Sequence, residues 1–204
     1  MEKTTGRLEA FSDGIFSVAI TLLALEIGIK AYPGATNANL WQRILADWPA
    51  YFAYFNSFAT ILLIWMGHRN ILSYLRQANH PIMLLNGLGL FFVVLFPFPT
   101  RLVASFLGTG AQATAVAVYA GFTGLLTGSM WLLTRCLLHY PRLLASPANA
   151  VAWLKPLTRY QLAGFLAYEA TAGLALYYPT PALVLTFLMW VFWAVVNRDD
   201  AQEN

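Results

Sequence analysis

The chain has 204 residues, of which 59% are hydrophobic and only 10% charged, and its mean hydropathy is +0.59. A soluble domain carries about 25% charged residues, so this composition excludes an ordinary globular protein and points to an integral membrane one. The net charge of +3 is small, no basic helix or aromatic-interleaved basic patch marks a nucleic-acid partner, and the lone Cys136 excludes an internal disulfide framework.

Apolar spans of roughly 20 residues fit six times, at 8–29, 48–72, 81–99, 112–138, 158–178 and 181–197. The predicted fold class is therefore an all-α membrane protein with six transmembrane helices. It forms a single six-span domain over residues 1–204, with no room for a sizeable water-soluble domain. Ala31 to Asn39, with Pro33, Gly34 and two asparagines, has turn composition. His80-Pro81 opens the third span, and Pro97 with Pro99 ends or kinks it. Gly108 to Ala111 forms the next loop. His139 to Arg159 reads as the longest connection, carrying Pro141, Pro147 and Pro156, and suits an amphipathic segment in the interface. Tyr177 to Pro181 is a tight aromatic turn at a membrane face.

Charge asymmetry orients the spans. With the N-terminus inside, Lys3, Arg7, Arg69, Arg76, Arg135, Arg142, Lys155, Arg159 and Arg198 fall on the cytoplasmic side. Only Lys30, Arg43 and Arg101 fall opposite. Basic residues mark cytoplasmic loops, so the span number is even and both termini face the cytoplasm, in a multi-pass protein of the inner (cell) membrane. Lys3 and Arg7 resemble the n-region of a signal peptide, but Asp13 and Glu26 interrupt the run and no A-x-A site follows.

The first span, RLEAFSDGIFSVAITLLALEIGIK, is bracketed by Asp13 and Glu26. At 100° per residue Val18, Leu22 and Leu25 share a face, extended by Gly14 and Ile29, with Thr21 at its edge. Asp13 points about 140° away, on the side of Phe16, Ile20 and Leu23. The stripe alone reads as a surface that meets lipid or another helix. An unpaired carboxylate in hydrocarbon costs at least about 2.5 kcal/mol, so Asp13 requires a partner. The antiparallel second span brings Trp65 and His68, three apart on one face, to matching depth. A cluster of Arg7, Asp13, Trp65 and His68 would satisfy these groups; a helix cap at Asp13 and an idle interfacial histidine are the alternatives.

Arg7-x-x-x-Phe11-Ser12-Asp13, followed by Ala-Ile-Thr-Leu-Leu-x-Leu-Glu, resembles the first helix of the transmembrane protein 175 family of potassium channels in its bacterial form. Trp65-x-x-His68 is similar to the motif on that family's second helix, and Leu90 to Thr100 is similar to its third. Where the family often has a second histidine, this chain has Arg69. The resemblance implies a homotetramer in the lipid bilayer, with the first helix of each subunit lining a central pore for potassium ions. It implies that Val18, Leu22 and Leu25 form the constriction, with Thr21 one turn above Val18. It further implies that Arg7, Ser12, Asp13, Trp65 and His68 form a polar network that holds the pore helix. No cofactor, resident metal or enzymatic activity is implied.

Four copies of an apolar ring offer no oxygen ligands in place of an ion's water, so such a constriction gates by dewetting. Potassium sheds water more cheaply than sodium, and selectivity would follow dehydration cost, aided by the Thr21 hydroxyls. A Thr-Val-Gly-Tyr-Gly filter is absent. Glu26 is either a cation-focusing group at the pore mouth or the partner of Lys30 one turn on. Glu169, a further intramembrane acid, is a relay or a hydrogen-bonding group between helices. Gly124 and Gly128 form a small-x-x-x-small packing pair. A secondary or proton-coupled transporter is the rival reading; repeat symmetry and broken midplane helices, its usual marks, are not evident. A membrane enzyme would need a cluster that the scattered His68, His80 and His139 do not make.

Overall fold

The computed structural model describes residues 5–28 and 33–196, except the Glu26 side chain. Eight α-helices are present among them: α1 (Gly6–Leu23), α2 (Asn37–Ala46), α3 (Trp48–Ser73), α4 (His80–Leu95), α5 (Pro97–Phe106), α6 (Gln112–His139), α7 (Pro147–Ala175) and α8 (Pro179–Val196). A 3₁₀ turn, Ala24–Glu26, prolongs α1. Four segments are long and apolar enough to cross a membrane: Trp48–Ser73, His80–Phe106, Gln112–His139 and Pro179–Val196. The expected span ends at 29 and 197, and the charges of Lys3, Lys30, Arg198 and Glu26, lie outside the described residues.

Three expectations are corrected. The stretch after the first turn is helical: Thr36 caps α2 by accepting from Asn39 N–H, and Asn39 Oδ1 accepts from Thr36 N–H in return, satisfying two end groups at once. The third span does not finish at Pro99; of the two outcomes expected at these prolines, the helix is interrupted and continues rather than ends. Pro97 has no N–H to give Val93, so Phe96 N–H bonds the Val93 carbonyl at 3.2 Å, and the α-helical ladder is interrupted there before the chain runs on as α5. The long connection after His139 is mostly helix. Pro147 occupies the first turn of α7, where a missing N–H costs nothing, and Pro156 lies within it on the exposed side.

The helices enclose two apolar clusters. Phe16, Ala19 and Leu23 of α1 pack with Ile61, Leu90, Val93, Phe96 and Tyr119. Ile71, Leu75, Ile82, Leu133, Leu137 and Leu154 form the second. Below the second cluster the segments after α3 and α6 pair as a short bridge, Leu75 with Leu144. Arg76 N–H donates to Leu143 O at 2.9 Å and Ala145 N–H to Tyr74 O at 2.8 Å, while Tyr74 stacks on Trp153 of α7 at 5.3 Å. These bonds give backbone groups of both segments partners within the protein.

Small residues let α6, α7 and α8 approach. A Cβ at Gly128 would lie 3.1 Å from the Phe165 ring. One at Gly124 would meet the Glu169 carboxylate, so the glycine pair has the packing place expected of it. Glu169 fills the groove left by Gly121 and Gly124, and its Oε1 has no hydrogen-bond partner among the described residues; the expected bond to a neighbouring helix is not formed by that atom.

Gly164 faces the Trp193 indole, 2.5 Å from where a Cβ would stand, whereas Gly89 faces the terminal methyl of Met130. A methionine end swings aside and an indole does not. Helix propensity favours alanine over glycine by about 1 kcal/mol, while overpacking costs about 1–3 kcal/mol. Gly89→Ala is therefore expected to leave the thermal midpoint in detergent near wild type, and Gly164→Ala to lower it.

Candidate functional site: the anchored first helix

Helix α1 presents two unlike faces. Ser12, Phe16, Ala19 and Leu23 are buried, and they recur at helical spacing because this face meets α3 and α4. Val18, Leu22 and Leu25 are 57%, 38% and 75% exposed on the protomer, and Gly14, Ser17 and Thr21 are exposed with them. The stripe drawn from periodicity is thus a free face of the folded chain. Thr21 Oγ1 donates to the carbonyl of Val18 at 2.8 Å. Its proton is committed to the helix, and only oxygen lone pairs remain to face outward.

Two sets of polar contacts hold the opposite side. Trp65 Nε1–H donates to Asp13 Oδ1 at 2.8 Å, a charge-assisted bond between α3 and α1. The Arg69 guanidinium lies over the Trp65 ring, 5.9 Å from its centre, so the residue that stands where a second histidine was expected adds positive charge beside the same pair. Deeper in, Asn86 Nδ2–H donates to Ser12 Oγ at 3.1 Å, and Ser12 Oγ–H donates to Leu8 O at 2.9 Å. His68 Nε2 lies 2.7 Å from Asn86 Oδ1. A carbonyl oxygen only accepts, so Nε2 carries the proton and Nδ1 is left with its lone pair. Phe16 packs on the imidazole with ring centres 5.3 Å apart. At the start of the helix Thr5 Oγ1 lies 3.3 Å from Leu75 O, tying α1 to the turn after α3.

Of the residues expected around Asp13, the structure brings Ser12, Trp65 and His68 to this face and leaves Arg7 out. Arg7 is six positions before Asp13, which turns it about 120° away. It is exposed, and no bond joins it to Asp13, Trp65 or His68 among the described residues. Trp65 and His68 also divide the work: Trp65 reaches the carboxylate, and His68 reaches Ser12 through Asn86. Asn86 was missed by sequence reasoning. The signal was there, since Asn86 is the sole polar side chain between Ile82 and Phe96, and a buried amide must find partners.

The Asp13–Trp65 bond is testable by a double-mutant cycle. Trp65→Phe and Asp13→Ala are each expected to destabilise the protein. Their combination should cost less than the sum by about 1.5–3 kcal/mol, the worth of a hydrogen bond to a charged group. Denaturant titration in detergent reads this, and additive losses would show the pair uncoupled.

Residues 7–97 match the family model described as the endosomal/lysosomal potassium channel TMEM175. A potassium channel of Streptomyces collinus is 38% identical over 178 residues, covering 84% of this chain and 82% of that protein. A potassium channel of Chamaesiphon minutus is 42% identical over 120 residues, 59% of each chain, so the match spans well under the full length of that relative. The bovine endosomal/lysosomal proton channel TMEM175 is 36% identical over 106 residues, 22% of its length. Among solved structures, that of a lysosomal potassium-selective channel TMEM175 homolog from Chamaesiphon minutus superposes with a TM-score of 0.84 at 30% identity, over 95% of this chain and 98% of that one. With the all-helical membrane fold and the Asp13–Trp65 anchor, these similarities show that the chain belongs to the TMEM175 family.

Proposed function

We propose that the protein is a potassium-selective, leak-type cation channel: a homotetramer in the cell membrane whose central pore is lined by α1 of each subunit. The observation that carries this reading is the free face of α1. Val18, Leu22 and Leu25 are left exposed by the folded protomer, while the acid on the same helix is turned away from that stripe and bonded to Trp65 at the accessible edge of the α1–α3 contact. A lipid-facing helix has no need of such an anchor to fix its rotation; a helix that sets the width of a passage does. The relatives from Streptomyces collinus and Chamaesiphon minutus, both named potassium channels, supply the ion. Six crossings are supported by α1, α3, α4 continued as α5, α6, α7 and α8, with α2 as a short surface helix. Both termini would then face the cytoplasm.

In this reading the rings of Val18, Leu22 and Leu25 exclude bulk water, and an ion crosses partly dehydrated. Potassium loses its hydration shell at less cost than sodium. The outward lone pairs of Thr21 offset part of that loss. Ser12, Asp13, Trp65 and His68 touch no ion and keep the helix in register; Glu26 belongs to the outer mouth. Proton conduction is the second reading, favoured by the vertebrate relatives named proton channels.

The test is flux into liposomes containing the full chain, driven by a potassium gradient or by a pH gradient. Val18→Ala and Leu22→Ala are expected to raise cation flux, by about tenfold for each ~1.4 kcal/mol removed from the barrier, and Leu22→Asn to lower potassium-over-sodium discrimination as well. Unchanged conductance and selectivity in every variant would take the stripe out of the pore. Current strictly coupled to protons would indicate a carrier, and a monomeric mass in mild detergent would defeat the tetramer.

A further inference from the structure

A second feature of His68 lies on the side away from α1. Its Nδ1 is buried and has no hydrogen-bond partner among the described residues, and the same is true of Gln161 Oε1 on α7. The two side chains are only 1% and 4% exposed. Both line one cavity between α3, α6, α7 and α8, together with Ile64, Thr127, Met130 and Trp193. The cavity measures about 30 Å³, counted as space open to the centre of a water molecule, and one water needs about 10–15 Å³ by that measure.

The chemistry of the two atoms is specific. Because Nε2 gives its proton to Asn86, Nδ1 of the neutral ring is an acceptor, and Gln161 Oε1 is an acceptor as well. With Gln161 Oε1 turned to the cavity, as it stands here, the two acceptors cannot satisfy one another directly. Leaving each unpaired in this surrounding costs the full desolvation of that atom. Thr127 is not the missing donor, since its hydroxyl proton goes to the carbonyl of Thr123 at 2.9 Å. The occupant must bring two donors, be small, and be neutral, because no acidic or basic side chain besides the imidazole lines the cavity. Water meets all three conditions.

We propose that this cavity is a structural water site, in which a buried water molecule donates one proton to His68 Nδ1 and the other to Gln161 Oε1. The water completes a chain in which every bond points the same way: water to His68, His68 to Asn86, Asn86 to Ser12, and Ser12 to Leu8 O. Bonds so aligned polarise one another. The chain joins α7, through α3 and α4, to α1. Gln161 lies outside residues 7–97, so the second half of the protein takes part in holding the first helix through one solvent molecule. The site does not depend on α1 lining a pore.

The test is water-edited solid-state NMR on the full chain in bilayers with ¹⁵N-labelled histidine. His80→Gln and His139→Gln leave His68 as the only labelled ring. Expected is the Nε2–H tautomer with rapid magnetisation transfer from water to the His68 ring. That transfer should be lost in Gln161→Leu, which deletes one acceptor. It should also be lost in Thr127→Leu, which fills the cavity and touches neither acceptor. A wild-type ring that receives nothing from water would overturn the proposal, as would transfer undiminished in both variants. If Gln161→Leu does not fold, Thr127→Leu and the wild-type ring decide the matter between them.

Discussion

The rotation of α1 about its own axis is the constraint on which the rest of this structure depends. Hydrocarbon supplies no hydrogen bonds, so each polar group on a membrane helix must find a protein partner. Asp13 has the Trp65 indole at 2.8 Å, and Ser12, one position before it, has Asn86 at 3.1 Å. Adjacent residues point about 100° apart. Two bonds at that divergence, to two different helices, fix both the angle and the depth of α1. One bond would fix only a hinge.

With α1 so fixed, the placement of apolar side chains follows. Phe16, Ala19 and Leu23 fall inward and are fully covered, and Val18, Leu22 and Leu25 fall outward. The buried side carries about 25 cal/mol per Å² of apolar surface removed from water, but in a membrane that term discriminates weakly between a protein neighbour and a lipid chain. Leu22 could exchange places with Leu23 at little hydrophobic cost. Polar pairing is what separates the two rotations, since exchanging the leucines would swing Asp13 off Trp65.

This also explains what could be read from the residues alone. The stripe, the turn of Asp13 away from it and its pairing at the depth of Trp65 all follow from helical period and antiparallel order. Placing Arg7 in the same cluster ignored that period, which puts it about 120° from the acid. Asn86 and Gln161 are not marked by charge, although a buried amide has the same need for partners as an ionisable group. The helical starts at Asn37 and Pro147 were obscured by nearby prolines and asparagines, which read as breakers. In place, these residues act as caps and first-turn positions. Proline's effect depends on where its absent N–H falls, and sequence alone does not locate that.

The division of labour along α3 has a physical logic. Trp65 sits where its half-buried indole can donate to a carboxylate, with Arg69 above the ring. His68, one turn deeper in the protein, avoids charge altogether and works through neutral amides and hydroxyls. A carboxylate at the position of Ser12 would have to be desolvated entirely, at a cost several-fold above that of a hydroxyl. The charged contact therefore lies at the accessible edge of the α1–α3 contact and the neutral chain lies in its interior, each in the dielectric that suits it. The free face opposite is left with no ionisable side chain from Gly14 to Leu25, which is the condition an apolar constriction requires.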